Sequence, residues 1–242
     1  MRLWYPFLCI FYVCLFVFYK WGESNKAQFN HPSSVLYKTF GLDMSHHQGE
    51  VRWSEIDSSK YKFVYLKSTE GENFKDKRFK KNYLRAKKNG IKVGGYHFWS
   101  FCKDPQKQIE NIIANIPIAV GDLVPAVDFE TIKDCEFPES VDLEKVIESH
   151  MAHVFEKLSE VYRRPPVIYT TVDFLKVYPS VLNYVGESQY WVRSLVGPPS
   201  LHMKNWLIWQ YYNSGKISGV TGPVDLNVIK DLNGGLSLIS QP

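Results

Sequence analysis

Cysteine is scarce. The chain has four in 242 residues, and two of them, Cys9 and Cys14, lie inside an N-terminal apolar run where they read as small apolar residues. With so few thiols and only scattered histidines, no metal centre is expected. No glycine-rich phosphate turn follows any strand-like run, which argues against a nucleotide-binding open sheet. A Gly-x-Ser-x-Gly elbow is missing too, so no serine nucleophile announces itself at Ser68 or elsewhere. Neither repeats nor low-complexity tracts occur. Charge of one sign is also lacking: 29 Lys and Arg stand against 25 Asp and Glu, a net +4, far from the basic stripe of a nucleic-acid binder. Neither a cofactor nor a nucleic-acid partner is expected.

What is present suits one large α/β domain, since 45% hydrophobic residues allow a substantial core in a chain of this length. The aromatic share of 15% either fills that core or lines a carbohydrate cleft. Arg2 opens an uncharged run over residues 3–19 that Lys20 closes. It is longer than most secretory hydrophobic regions and slightly short for a spanning helix, so it reads as a cleaved signal or, preferred here, a membrane anchor. The division expected is a leader over 1–20, a polar tether over 21–38 and a globular domain over 39–242. The domain is delivered outside the cytoplasm, and membrane attachment runs through residues 3–19. In an oxidising compartment, Cys102 and Cys135, the remaining pair, could form a disulfide.

The most informative stretch is residues 124–131. It reads as a buried strand ending in two carboxylates, Asp128 and Glu130. Alternation puts both on one face, their α-carbons roughly 6.5 Å apart, while Val127 and Phe129 pack on the other. Leu42-Asp43-Met44 and Val224-Asp225-Leu226 each repeat the pattern with one aspartate between apolar neighbours. Like charges at apolar strand ends are costly unless a site uses them. Strands are expected at 38–45, 63–69, 91–100, 124–131, 166–171, 189–195, 206–212 and 224–229, with helices following each of the first five. This predicts a modified TIM-like (β/α)5(β)3 barrel forming a single catalytic domain, with parallel pairing and carboxylates gathered at the carboxyl ends of strands. A doubly wound open sheet is the rival architecture.

Paired carboxyls at a strand end suit glycoside hydrolysis, in which one acid protonates the leaving oxygen and another group stabilises charge at the anomeric carbon. Repulsion and burial would leave one acid protonated and its neighbour ionised. Glu130, with the longer reach, is assigned as the acid. The bland reading, two exposed loop carboxylates or a helix cap, is equally compatible with the spacing alone.

The motifs go further than spacing. Asp43-Met44-Ser45-His46-His47-Gln48-Gly49 resembles the Asp-x-Ser-x-x-Gln-Gly opening of glycoside hydrolase family 25, the N-acetylmuramidase-type lysozymes. Gly95-Tyr96-His97-Phe98, Asp128-Phe129-Glu130, Trp209-Gln210-Tyr211 and Gly222-Pro223-Val224-Asp225-Leu226-Asn227 resemble its later signatures, in the family's order. The resemblance spans residues 40–231. It implies cleavage of the β-1,4 bond between N-acetylmuramic acid and N-acetylglucosamine in peptidoglycan, on a flattened barrel with five βα units. It also implies that Glu130 is the general acid/base and that Asp128 orients the substrate acetamido group. Asp43 and Asp225 would shape and charge the cleft floor, and Tyr96 would help hold the substrate.

Trp191, Trp209 and Tyr211 are candidates to stack on sugar faces, and Gln210 and Asn227 join them as substrate-binding candidates. His46 and His47 read more naturally as loop hydrogen-bonders. Nine Lys and Arg between Lys75 and Lys92, against Asp76 alone, read as a solvated helix face or as a surface for an anionic wall or membrane. The expected partner is the peptidoglycan glycan strand, bound by a monomer. Two alternatives stay open: a catalytically silent peptidoglycan-binding barrel, and an envelope or immunity protein whose partner is another protein.

Overall fold

The computed structural model describes residues 31–132, 135–184, 189–199, 203 and 206–230. The leader over 1–20, most of the tether and residues 231–242 lie outside the described residues. Among the described residues no helix is long and apolar enough to cross a membrane.

Eight strands close a barrel. In chain order the strands are β1 (Thr39–Met44), β2 (Tyr61–Glu70), β3 (Phe74–Lys75), β4 (Lys92–Phe98), β5 (Ala126–Phe129), β6 (Val167–Thr171), β7 (Gln189–Arg193), β8 (Trp206–Gly215) and β9 (Val224–Ile229). Their order around the wall is β1-β9-β8-β7-β6-β5-β4-β2, with β1 pairing back to β2. The two-residue β3 is an extra hairpin strand on β2 that the sequence pattern does not announce. The barrel architecture agrees with expectation, and the parallel pairing expected of strands alternating with helices holds for every barrel neighbour except those of β9. β9 runs antiparallel to both β8 and β1. No helix intervenes between β8 and β9, so the chain returns by a direct reversal, which only antiparallel strands permit.

Four α-helices are described: α1 (Phe79–Lys88), α2 (Pro105–Asn115), α3 (Leu143–Tyr162) and α4 (Val172–Val177). Each has a local cause. Asp104 caps α2 by accepting from the Lys107 N–H at 3.0 Å, with Pro105 at the first position. Asp142 caps α3 in the same way, and Ile147, Met151, Val154, Leu158 and Tyr162 give it one buried stripe. Thr171 caps α4 through the Phe174 N–H. The helix expected after β1 is replaced by two 3-10 turns, His46–Gln48 and Trp53–Glu55. Val51 forms an antiparallel bridge with Val220, and the Arg52 N–H donates to Gly219 O, so that segment is held extended against the loop before β9.

Alternation divides the side chains of each strand. Val127 and Phe129 are fully buried, Phe129 with its ring against Trp99 and Phe101. Inside the barrel, Tyr65 stacks on Trp191 at 5.0 Å, and Tyr169 meets the same indole edge-on at 4.7 Å. Room for this aromatic layer comes from Gly94, where a Cβ would run into the Tyr65 ring and stand 2.9 Å from Leu123 Cβ.

Candidate active site

A cleft of about 330 Å³ opens at the end of the barrel where the parallel strands finish, lined in part by Asp43, Tyr96, Asp128, Glu130, Trp191, Gln210 and Asp225. The four carboxylates therefore meet, as the strand pattern requires. Asp225 arrives by a different route from the others. It is the second residue of β9, and because that strand is antiparallel its beginning lies beside the end of β1, with Asp225 directly opposite Asp43.

The floor is a hydrogen-bonded carboxyl pair. Asp43 Oδ2 accepts from Gln210 Nε2 and Asn227 Nδ2, each at 2.8 Å, and Asn227 Oδ1 accepts in turn from the Trp191 indole at 2.8 Å. Burial raises the Asp43 carboxyl, and the hydrogen bonds from Asn227, Gln210 and Asp225 partly offset this. Burial, then the neighbouring charge of Asp43, pushes Asp225 up to about 9. Burial of both carboxyls and their mutual charge thus favour a proton shared within the pair.

The second pair lies on β5 and just beyond its end. Asp128 is buried, and its Oδ1 has no hydrogen-bond partner among the described residues. Burial, followed by the charge of Glu130, holds its carboxyl well above the usual range. Glu130 Oε2 also lacks a hydrogen bond but has Arg193 Nη1 at 3.4 Å, an ion pair longer than a good hydrogen bond. Two buried acceptors left without donors at the mouth of a cleft mark where a ligand's N–H or O–H groups belong.

Arg193 and Lys67 went unnoticed in the sequence. Lys67 pairs with Glu70 at 2.6 Å and lies over the Phe74 and Phe98 rings. The available signal was period two: Arg193 follows Trp191, and Lys67 follows Tyr65, on the inward face of their strands. Tyr169, another cleft residue, donates from its hydroxyl to Gln210 Oε1 at 3.1 Å.

Two aromatic candidates point elsewhere. Trp209 and Tyr211 flank Gln210, so an inward Gln210 places both on the outer face of β8. There the Trp209 indole donates to Ser194 O, and its ring meets those of Tyr37, Trp206 and Tyr211. Neither lines the cleft. Asn227 lies beneath the cleft, fully buried, and acts on Asp43 and Trp191. Trp191 and Tyr96 do line it, edge to face at 6.4 Å.

The opening motif has a structural logic. Ser45 caps the 3-10 turn, Gln48 Oε1 accepts from the Ser45 N–H at 2.8 Å, and Gln48 Nε2 donates to Pro223 O at 2.9 Å, which ties the turn after β1 to the loop before Asp225. His46 faces Asp76, with Nδ1 2.9 Å from Oδ2, whereas His47 reaches the cleft. His97 is buried between Thr69 and Gln108, and burial lowers its ring to about 3, so it is a neutral structural residue. Cys102 and Cys135 are joined in a disulfide beside the cleft, linking the loops that follow β4 and β5. No group of three His, Cys, Asp or Glu suited to hold a metal occurs among the described residues.

The comparisons agree with this geometry. The family model described as Glycosyl hydrolases family 25 matches residues 42–220. Lysozyme M1 of Streptomyces globisporus is 30% identical over 202 residues, covering 77% of this chain and 66% of that protein. The uncharacterized protein YegX of Escherichia coli K12 is 24% identical over 198 residues, covering 79% and 70%. Among solved structures, a family 25 glycosyl hydrolase from Bacillus anthracis superposes with a TM-score of 0.74 at 31% identity, covering 84% of this chain and 93% of that one. A lysozyme from Streptomyces coelicolor gives 0.70 at 29% identity, covering 81% and 92%. With the matched region spanning β1 to the loop before β9, and the carboxylates gathered at the barrel mouth, the chain belongs to glycosyl hydrolase family 25.

Proposed function

We propose that the protein is a muramidase that hydrolyses the β-1,4 bond between N-acetylmuramic acid and N-acetylglucosamine, acting outside the cytoplasm while held to a membrane through residues 3–19. The observation that carries this reading is the carboxyl pair at the cleft mouth, buried Asp128 and half-buried Glu130, each with one oxygen that accepts no hydrogen bond.

Burial and the charge of Glu130 favour the protonated form of Asp128 before substrate enters. An acetamido N–H entering the cleft meets Asp128 Oδ1, and it is best accepted by the ionised carboxylate. The proton then belongs on Glu130, beside the glycosidic oxygen, so substrate binding loads the acid. Glu130 gives that proton to the leaving oxygen as the acetamido carbonyl oxygen attacks the anomeric carbon, and Asp128 steadies the positive charge that develops on the nitrogen. Glu130, now ionised, takes a proton from the water that opens the cyclic intermediate and is restored. Asp43, with Asp225 hydrogen-bonded to it, supplies fixed negative charge beneath the oxocarbenium-like centre. Tyr96 and Trp191 present ring surface to the sugar.

A digest of purified peptidoglycan by the full-length chain in detergent, with Glu130→Gln alongside, tests this reading. The new reducing ends are read by mass spectrometry after borohydride reduction. New ends at muramic acid, lost in the variant, are the expected result. Ends at glucosamine would overturn the bond assignment, and retained wall binding without cleavage would favour a silent binding barrel.

A further inference from the structure

The flank of the barrel away from the cleft carries a surface that catalysis does not use. Helix α1 buries Phe79, Asn82 and Ala86, so the opposite side faces solvent. On that side Leu84 is 57% exposed, with Lys80, Lys81, Lys87 and Lys88 one helical turn before and after it, all exposed. The loop after α2 adds two more aliphatics, Ile118 at 56% and Val120 at 57% exposure.

These pieces form one surface. Asp122, at the end of that loop, accepts from the Tyr83 hydroxyl and pairs with Lys87 Nζ at 2.5 Å. A cavity of about 450 Å³ lies between helix and loop, lined among others by Lys80, Tyr83, Leu84 and Pro117. Leu84 is thus flanked by amines on its helix, and Tyr83 and Lys87 tie that helix through Asp122 to the loop that carries Ile118 and Val120. Carboxylates neutralise only part of the charge: Glu50 serves Arg78, Lys81 and Arg85 together, and Asp122 serves Lys87. Lys77, Lys80, Lys88 and Lys92 have no ion pair among the described residues.

We propose that this face, Leu84 with Ile118, Val120 and the surrounding lysines, docks on the anionic lipid headgroups of a membrane. Apolar side chains flanked by amines match a headgroup layer, where the aliphatics enter the interface and the amines meet phosphate. A merely solvated face has no use for the aliphatics, and a protein groove would leave most of the amines unpaired. The placement also fits. Tyr61 and Lys92 begin parallel neighbours β2 and β4, so the second half of α1 lies towards the end of the barrel opposite the cleft. Docked here, the domain turns its cleft away from the bilayer, towards the wall. The sequence has an uncharged run over 3–19, and residues 21–30 can span roughly 35 Å when extended, enough to let the domain lie on the membrane that holds the run.

The test uses the full-length chain in two kinds of vesicle, phosphatidylcholine alone and phosphatidylcholine mixed with phosphatidylglycerol. Lysine acetylation by an amine-reactive ester is read by mass spectrometry. In the anionic vesicles Lys80, Lys87, Lys88 and Lys92 should be labelled several-fold more slowly than in neutral ones, while Lys103, at the cleft end, is unchanged. High salt, or Val120→Asp with Leu84→Gln, should remove the protection, and cleavage of soluble glycan should stay as in the wild type. Equal labelling in both vesicles would overturn the proposal. So would protection by soluble polyphosphate that survives the double variant, because that would assign the face to a polyanion without need of lipid.

Discussion

At the residue scale, the two pairs of carboxyls divide the work according to what surrounds them. Burial and the charge of Glu130 raise the Asp128 carboxyl, whereas at Asp43 three donors partly offset the rise that burial causes. If Asp128 must accept an acetamido N–H, Asp128→Asn, which cannot become a carboxylate, should lower kcat by roughly 10²–10⁴-fold with little change in Tm. A nearly silent variant would remove the acetamido route. Asp225 makes a prediction about stability. A carboxyl whose folded value is raised stabilises the fold fully at pH below its unfolded value, near 3.8, and that contribution is lost as pH climbs through about 9. Replacing Asp225 by Asn should therefore make the fall in stability between those limits shallower, measured by urea melts across the pH range. Asp128 and Glu130 were legible as a pair from alternation alone. The upward shift of Asp128 was not, because it depends on the depth of burial that the rest of the barrel imposes.

At the element scale, most helices formed where alternation with the strands placed them, held locally by the Asp104-Pro105 cap of α2 and the buried stripe from Ile147 to Tyr162 on α3. The segment after β1 did not. Its turns are short because Val51 and Arg52 are held by Val220 and Gly219, partners some 170 residues away that no local pattern reveals. Gly94 in β4 is a point of close approach, and the Tyr65 ring is what approaches. Gly94→Ala should cost about 1–3 kcal/mol in chemical denaturation, the usual range for overpacking a filled core. The disulfide tethers the loops after β4 and β5 across 33 residues. Cys135→Ser should lower stability by about 3–4 kcal/mol on the loop-closure estimate, and reduced wild type should behave like the variant. Trp209 and Tyr211 show how a motif misleads: Trp209-Gln210-Tyr211 belongs together in sequence, yet only its middle residue faces the cleft.

At the scale of the whole molecule, closure is the organising fact. β1 pairs with both β2 and β9, so the first and last strands complete the wall together and also bring Asp43 against Asp225. One aromatic layer, Tyr65, Tyr169 and Trp191, fills the interior from three separate parts of the chain. Unfolding of the domain should accordingly be cooperative, with the near-ultraviolet signal of these rings and the far-ultraviolet helix signal lost in coincident transitions. Separate transitions would mean that the helices survive opening of the barrel.

Strand and helix identity, the family signatures and the four carboxylates follow from local chemistry: alternation, caps and turn residues act over a few neighbours and are written in order along the chain. The direction of β9, the outward turn of Trp209 and Tyr211, the neutral state of His97, the ion pair of Arg193 with Glu130 and the joining of Leu84 to the Ile118–Val120 loop were decided only by the closed barrel. Each depends on which distant surfaces exclude water from one another, and burial of that kind is a property of the assembled structure rather than of any stretch of sequence.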